Sequence, residues 1–439
     1  MPTETLRNPV DLLNPDMNGG YFTPISLCPG LDFVFLHGGS TGSPSAGLAA
    51  KVRLFGDPLL EAFSIEETSA SGSVPFLRAT NNTTFDVVLI AGQLVKGGKQ
   101  NRGVNTDILV CAGQTAQVPV TCVEQGRWSG RPGSRFQHGG VEPINIRSEK
   151  FRHVSSNRRS ESGFHADQGK VWSDIGQMSN CLRAPSASGD LLSSLEQIKG
   201  RRGRRTEDER RLEGSTPNRD ASGNLDLEME LDRLQHHARM LQDESQHMLE
   251  RLRGIVANGD TELMNDHRRR LDHLLRELGN SQREVERLRE LRISRGNTPA
   301  ITSDMIAKAD DAARGATGML VFFNGEFLAG DIFAKSEWFA TFYGDLRDSA
   351  LMTWDMVATR HVTTGRQMDA ASAEKAHATA RSIVNDALRG SWTDRPTAAH
   401  GRAQLLEHPY LEGASLADTN GTPLHVLVGS KRTPEVLRA

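Results

Sequence analysis

The densest group of ligand-type side chains in the chain lies within residues 92–106, between two β-like runs and among four glycines. Glycine lets a ligand approach the backbone closely. Amides offer paired donors and acceptors, and arginine offers a planar fork that fits phosphate or carboxylate. This composition favours a negatively charged or nucleotide-like ligand. The candidate ligand-binding residues here are Lys99, Gln100, Asn101, Arg102 and Asn105.

A second polar cluster, Cys122–Trp128, follows the strand-like run that should lie beside this loop. Glu124 is the candidate catalytic residue, as a general base; it could equally be a metal ligand or the ion-pair partner of Arg102 or Arg127. Arg127 and Trp128 are candidate ligand-binding residues, with the indole either stacking on a base or sugar or covering the core. The alternative is an internal Arg–Glu–amide network that only pins the loop.

Well-known catalytic motifs give little support to a specific reaction. The sequence has no Walker motif, no H-E-x-x-H and no zinc-type Cys/His spacing, so no metal and no cofactor are expected. One G-x-S-x-G occurs at Gly38–Gly42, but Ser43-Pro44-Ser45 follows it, whereas a nucleophile elbow must enter a helix. The motif is therefore predicted to be a Gly/Ser loop.

Composition excludes several classes of protein. The 439 residues carry a net charge of −3, so the chain as a whole is not expected to bind nucleic acid electrostatically. No apolar run approaches the ~18 residues of a membrane span, and the first residues lack the apolar core of a signal peptide. The four cysteines form no C-x-x-C pair. A cytoplasmic protein without a membrane partner is expected.

Short β-branched runs separated by turn residues recur every 8–12 positions in the first part of the chain, which is typical of an antiparallel sandwich or open barrel. In this part of the chain, only residues 57–63 have a helical pattern. Residues 131–169 show no periodicity and are predicted to form a long loop. A helix is predicted to start at Gln168. Towards the C-terminus, hairpins are predicted at 318–333 and 411–428, with helices from Ser336 and over 370–388 between them.

Apolar residues with 4-3 spacing run from Leu227 to Ile255 and again from Met264 to Leu288, with Asn258-Gly259-Asp260 between them. Two such helices are predicted to form an antiparallel coiled-coil hairpin. The predicted fold is therefore α+β, an antiparallel β-sandwich-like core with flanking helices, interrupted by this inserted hairpin. The predicted divisions are a first β-rich part (20–198), a charged linker plus hairpin (199–298), a second globular part (299–430) and a tail (431–439).

Several of these motifs also resemble a known family, the ADP-ribosylglycohydrolase- and rhodanese-phosphatase-superfamily-associated domain. The likeness is carried by Gly97–Arg102 with Asn105, Pro119–Trp128, Gln168–Trp172, Gly318–Phe333 and, weakly, the segment around His425. The resemblance implies association with ADP-ribose and phosphate-transfer chemistry, but no established reaction. Positions that match the family are Gln100, Asn101, Arg102, Asn105, Glu124, Gly126, Arg127, Trp128, Gln168 and Trp172, which adds Gln168 and Trp172 to the ligand-binding candidates.

The sequence thus predicts a domain that binds a phosphorylated nucleotide or an ADP-ribose-like molecule, and leaves open whether it also hydrolyses it. The alternative is a non-catalytic interaction module that uses the coiled-coil hairpin for oligomerisation or partner docking. A third option, nucleic-acid contact through Arg201–Arg205, is weakened by the acidic residues that follow at once.

Overall fold

The computed structural model describes residues 20–38, 51–69, 71–130, 134–214, 227–258, 261–297, 301–364 and 373–438, together with Leu12. The chain separates into two compact units, Met1–Lys199 with Ile301–Ala439, and Gly200–Ala300. Large antiparallel sheets combine with helices, so the predicted α+β class is confirmed. The G-x-S-x-G motif lies outside the described residues, except for Gly38.

An eight-stranded antiparallel sheet has the order β1-β2-β12-β13-β17-β16-β15-β14. Its strands are β1 (Tyr21–Cys28), β2 (Leu31–His37), β12 (Gly318–Phe323), β13 (Glu326–Phe333), β14 (Ser391–Arg395), β15 (Arg402–Glu407), β16 (Leu411–Ala417) and β17 (Pro423–Ser430). Both predicted C-terminal hairpins are confirmed as β12–β13 and β16–β17. Asn324 and Gly325 both have positive φ at the first turn, as a two-residue hairpin turn requires.

Two further sheets come from residues 52–141. One has six strands in the order β11-β7-β8-β10-β5-β4, and the other has three in the order β3-β6-β9. The strands are β3 (Val52–Leu54), β4 (Phe63–Glu67), β5 (Phe76–Asn81), β6 (Asp86–Leu89), β7 (Gln93–Lys96), β8 (Arg102–Val104), β9 (Ile108–Val110), β10 (Thr115–Cys122) and β11 (Gln137–Val141).

Apolar side chains from both smaller sheets meet in one core, with Val87 and Val110 from the three-stranded sheet against Val104 and Val118 from the six-stranded one. The pairing of β3 with β6 is parallel, a departure from the all-antiparallel expectation. The predicted helix at 57–63 is wrong, because turns occupy the segment before β4 begins at Phe63.

The described residues form helices in both units. They are α1 (Ile144–Arg159), α2 (Gln168–Cys181), α3 (Leu191–Gly214), α4 (Leu227–Asn258), α5 (Thr261–Asn297), α6 (Ser303–Ala312), α7 (Ser336–Thr364), α8 (Ala373–Arg389) and α9 (Glu435–Arg438). Residues alternate across β2, so that Phe33 and Phe35 pack with α7 and Val34 and Leu36 with α8. The sheet is therefore covered on both faces.

The long loop predicted over 131–169 is wrong, since β11 and α1 lie within it. The reason is that α1 buries charges as well as apolar residues. Arg147 and Lys150 of this helix are 2% and 3% exposed and paired with buried carboxylates. A helix whose inward face carries Arg and Lys has no apolar periodicity to reveal it.

In the second unit, α4 and α5 contact each other. Leu231, Leu241, Leu271 and Val285 are buried there. The charged linker predicted from residue 199 is in part helical, because α3 continues through the basic run to Gly214. Arg, Glu and Lys are good helix formers, so charge alone did not imply an extended tether. No helix in the described ranges is both long and apolar enough to cross a membrane.

Candidate functional site

The two predicted polar clusters lie side by side, because β8 pairs with β10. Arg102 is opposite Cys122, and Gly103 is opposite Thr121. The loop before β8 therefore meets the segment that follows β10, with a backbone hydrogen bond of 3.1 Å from Val123 N to Asn101 O. Side chains alternate between the two faces of a strand. This alternation divides the predicted residues into groups with different surroundings.

Glu124 is at the centre of an internal network. Its carboxylate accepts from Arg127 Nε at 2.9 and 3.0 Å and from Arg127 Nη2 at 2.7 Å. The Asn101 backbone N–H donates to Oε2 at 3.1 Å, and Ser188 Oγ donates to Oε1 at 2.9 Å. Glu124 is 3% exposed, so both of its oxygens are occupied inside the protein. This arrangement pins the loop, as the alternative interpretation of the sequence expects.

Asn101 and Arg127 complete this network. The Asn101 amide accepts from Gly97 N at 2.9 Å and donates to Asp190 Oδ1 at 2.9 Å. Arg127 Nη1 donates to the Gly98 and Ser129 carbonyls at 2.8 and 2.9 Å. These contacts hold the loop from both sides, and they use most of the hydrogen-bonding capacity of both side chains.

Arg102 differs from these residues, although it is fully buried at 0% exposure. Its Nη1 donates to Gln100 Oε1 at 3.1 Å. Its Nε and Nη2 have no hydrogen-bond partner among the residues that the structure describes. Burial lowers the pKa of Arg102, but a guanidinium keeps its charge in proteins. Gln100 therefore orients a buried cation whose Nε–Nη2 edge is unused.

Trp128 lies next to this guanidinium and is 46% exposed. Its ring centroid is 5.5 Å from Arg102 Cζ and 5.7 Å from Lys99 Nζ. Both distances fall within the range of cation–π attraction. The structure thus brings Lys99, Gln100, Arg102 and Trp128 together, with an aromatic ring between a buried cation and solvent.

Glu67 at the end of β4 is a member of this group that sequence reasoning missed. Its Oε1 accepts from Lys99 N at 2.9 Å, and its Oε2 is buried with no partner among the described residues. Glu67 also acts electrostatically on Arg102. No local signal could have found it, because about thirty residues separate it from the loop and only the pairing of β4, β5 and β10 brings them together.

Asn105 and Gln168 form their hydrogen bonds with partners outside the group around Arg102. Asn105 accepts from Thr121 Oγ1 at 2.7 Å and donates to the Phe164 carbonyl at 2.9 Å. Gln168 Oε1 accepts a hydrogen bond from Cys122 N at 2.9 Å, and Gln168 Nε2 donates one to Cys122 O at 2.8 Å. These two bonds connect α2 to β10. Trp172 is half-buried, and its Nε1 has no partner among the described residues.

Neither a metal cluster nor a reactive thiol marks the site. Within the described ranges, no group of three or more His, Cys, Asp or Glu side chains could hold a metal ion. Cys122 is 1% exposed, and burial raises the pKa of its thiol. A cleft of about 240 Å³ lies elsewhere, between β11, α3 and α7, and none of the predicted site residues lines it.

Comparison with protein families supplies the assignment of this region. Residues 51–218 match the family model of the ARG and Rhodanese-Phosphatase-superfamily-associated Protein domain. This part of the chain is similar to that domain. The expected resemblance is thereby confirmed, and all the predicted site residues fall within the matched range. The comparisons with curated proteins and with solved structures found no match.

Proposed function

We propose that the matched region, residues 51–218, binds a phosphorylated nucleotide or an ADP-ribose-like molecule at the site formed by Lys99, Arg102 and Trp128. The observation that carries the proposal is the unpartnered Nε–Nη2 edge of the buried Arg102 guanidinium. A buried donor without a partner costs free energy, and more so when it is charged. A ligand oxyanion would supply the missing acceptors.

The geometry of arginine favours phosphate as that oxyanion. The Nε–Nη2 edge presents two parallel N–H groups, which match two oxygens of a phosphate or carboxylate. The local charge supports this choice. Among the described residues, the carboxylates that act on Arg102 are Glu67 and Glu124, and Glu124 is already the ion-pair partner of Arg127. A phosphate would give Arg102 an anionic partner of its own.

Trp128 favours a ligand with an aromatic base. The indole covers Arg102 and remains nearly half exposed, so a base could stack on its outer face. Because Arg102 itself is fully buried, the ring must move for the phosphate to reach the guanidinium. The free Oε2 of Glu67 would then accept from a sugar hydroxyl.

Binding at this site does not require Glu124 as a base. Its carboxylate could take a substrate proton only after releasing Arg127, Asn101 N or Ser188. We propose that Glu124 positions the loop, and its role in a hydrolysis step stays a prediction of the sequence. The four cysteines form no disulfide, which agrees with a proposed cytoplasmic location.

A thermal-shift titration with ADP, ADP-ribose and adenosine tests this function. Ligands that bind the folded state raise its melting temperature by mass action. ADP and ADP-ribose should stabilise the wild type and Arg78→Gln, a control at an exposed arginine of β5. Arg102→Lys keeps the charge but loses the fork, so it should lose most of the effect. Adenosine, which lacks phosphate, should bind much more weakly.

Equal stabilisation of the wild type and Arg102→Lys would place the ligand elsewhere. No shift with either phosphorylated compound would contradict nucleotide binding. In that case the loop network would have only a structural role.

A second candidate function, a docking or oligomerisation module, is supported by the second unit. We propose that, in the first unit, the two smaller sheets form a sandwich. We also propose that, in the second unit, α4 and α5 form an antiparallel coiled-coil hairpin. The helices contact each other, two residues separate them in sequence, and the buried Leu231, Leu241, Leu271 and Val285 all fall in the 4-3 series. Light scattering of the full chain should show an oligomer under this function. A monomer at all concentrations would contradict self-association.

A further inference from the structure

Arg158, the penultimate residue of α1, is a second buried arginine with unused donors, and it is remote in sequence from the Arg102 loop. It is 6% exposed. Its Nη1 donates to Thr106 Oγ1 at 3.3 Å and its Nη2 to the Pro396 carbonyl at 3.4 Å. Both distances are long, both acceptors are neutral, and Nε has no partner among the described residues. The Phe164 ring, 5.5 Å from Cζ, contacts the guanidinium.

No carboxylate in the described part of the chain forms an ion pair with Arg158. Asp107 is near enough to stabilise its charge, but both Asp107 oxygens are in use. Ala91 N donates to one at 2.8 Å, and His425 Nδ1 lies 2.7 Å from the other. Burial accordingly lowers the pKa of Arg158 to about 10. A buried guanidinium without a carboxylate is costly unless an anion completes it.

Two further arginines, Arg159 and Arg395, act on the Arg158 charge from nearby. Glu407 is shared between them, at 3.6 Å from Arg159 Nε and 3.7 Å from Arg395 Nη2, both beyond hydrogen-bond distance. Glu412 forms an ion pair with Arg159. The Nε atoms of both arginines are also unpartnered among the described residues. Within the described residues, the ion pairs to these three guanidinium groups come from Glu407 and Glu412, and Arg158 takes part in neither.

We propose that Arg158 and Arg395 bind a small oxyanion of the phosphate class where the C-terminal end of α1 meets the edge strand β14. The Nε of Arg158 has no protein acceptor among the described residues, and Arg395, which is 26% exposed, gives solvent access to the cluster. Bound phosphate would accept from both guanidinium groups and give Arg158 an anionic partner. Because Pro396 follows β14 and Thr106 follows β8, the anion would also join the eight-stranded sheet to the family domain.

This site is independent of the proposed nucleotide site. It shares no residue with it and needs no aromatic ligand. An isothermal titration of the full chain with inorganic phosphate at constant ionic strength tests it. The variants are Arg395→Gln on the edge strand, Arg158→Lys, which keeps the charge, and Arg102→Lys at the other site. Arg402→Gln, an exposed arginine on β15, is the matched control.

Saturable phosphate binding is expected in the wild type, Arg402→Gln and Arg102→Lys, with an affinity about tenfold or more weaker in Arg395→Gln and Arg158→Lys. Glycerol phosphate, tested in parallel, separates the two sources of the anion. Equal affinity means that free phosphate suffices, and tighter binding of the ester means that the site takes a phosphate group of a larger molecule.

The proposal is overturned if the wild type shows no saturable binding. It is also overturned if Arg395→Gln and Arg158→Lys bind phosphate as tightly as Arg402→Gln, or if only Arg102→Lys loses it. Because Arg395 is partly exposed on an edge strand, its variant should fold even if Arg158→Lys does not. Circular dichroism of each variant checks this before titration.

Discussion

Three buried arginines, Arg102, Arg147 and Arg158, differ in what completes their hydrogen bonds. Arg147 donates both Nη atoms to Asp331 at 2.6 Å and Nε to the Ala91 carbonyl at 2.7 Å, so every nitrogen has an acceptor. Arg102 and Arg158 have neither a carboxylate ion pair nor a full set of acceptors in the described part of the chain. The first arrangement is structural, whereas the other two are those expected of anion sites.

His425, like Arg147, has a structural role, and it should make the free energy of unfolding depend on pH. Its ring is 1% exposed and lies between Asp107, at 2.7 Å, and Asp331, at 3.1 Å. Burial by itself would lower the pKa of His425, but the two carboxylates outweigh burial and raise it to about 9. His425 is therefore protonated in the folded protein at neutral pH, and both of its ring N–H groups donate hydrogen bonds.

Because the folded pKa of His425 exceeds the unfolded value, its contribution is complete below about pH 6.5 and is lost as pH rises through about 9. The free energy of unfolding should fall by about 3 kcal/mol over this interval. Urea unfolding at several pH values measures it. His425→Gln should be less stable at pH 6.5 and lack most of this fall. The same fall in both proteins would contradict the charged state of His425.

At the scale of elements, α1 shows where sequence patterns fail. The hairpin β12–β13 could be predicted because Asn324-Gly325 must take positive φ between two apolar runs. Helix α1 could not, because Arg147 and Lys150 occupy its buried face and their partners, Asp331 and Glu142, lie in other segments. Long-range pairing, and not local pattern, fixes this helix.

Removing one member of such a buried pair should be severe. Arg147→Met leaves Asp331 buried without its main partner, so we expect a loss of about 3–5 kcal/mol in the free energy of unfolding. The control Lys170→Met breaks an exposed pair with Asp174 on α2 and should cost less than about 1 kcal/mol. Urea unfolding followed by tryptophan fluorescence measures both. Similar losses in the two variants would contradict the anchoring role of Arg147.

The candidate site could be predicted only in part for a related reason. The composition of the loop indicates an anion site, and Lys99, Gln100, Arg102 and Trp128 do lie together. Composition does not tell which face of β8 each side chain takes. That face separates Arg102 from Asn105, and Glu124 forms its ion pair with Arg127 and not with Arg102. Glu67 joins these surroundings only through the pairing of β4, β5 and β10.

At the scale of the whole molecule, the two units should respond separately to substitution. Leu271 on α5 is 7% exposed, whereas Leu275 on the same helix is 46% exposed. Leu271→Asp should lower the stability of the second unit by about 2–5 kcal/mol or more, because it places a charge among apolar side chains. Leu275→Asp should change little.

The five tryptophans report on the first unit alone, since residues 200–300 contain none. In Leu271→Asp, helical circular dichroism should therefore be lost at a lower temperature than in the wild type, while the fluorescence transition stays in place. A parallel drop in both signals would show that the units unfold together.

The central claim is that the Nε–Nη2 edge of Arg102 receives a ligand phosphate. The most direct measurement is the ¹⁵N–¹H correlation spectrum of the arginine Nε–H groups, recorded during titration with ADP and assigned with Arg102→Lys. The Arg102 peak should move in a saturable manner, since its Nε gains a charged acceptor, while the Arg147 peak stays fixed. An Arg102 peak that does not move at saturating ADP would contradict the claim.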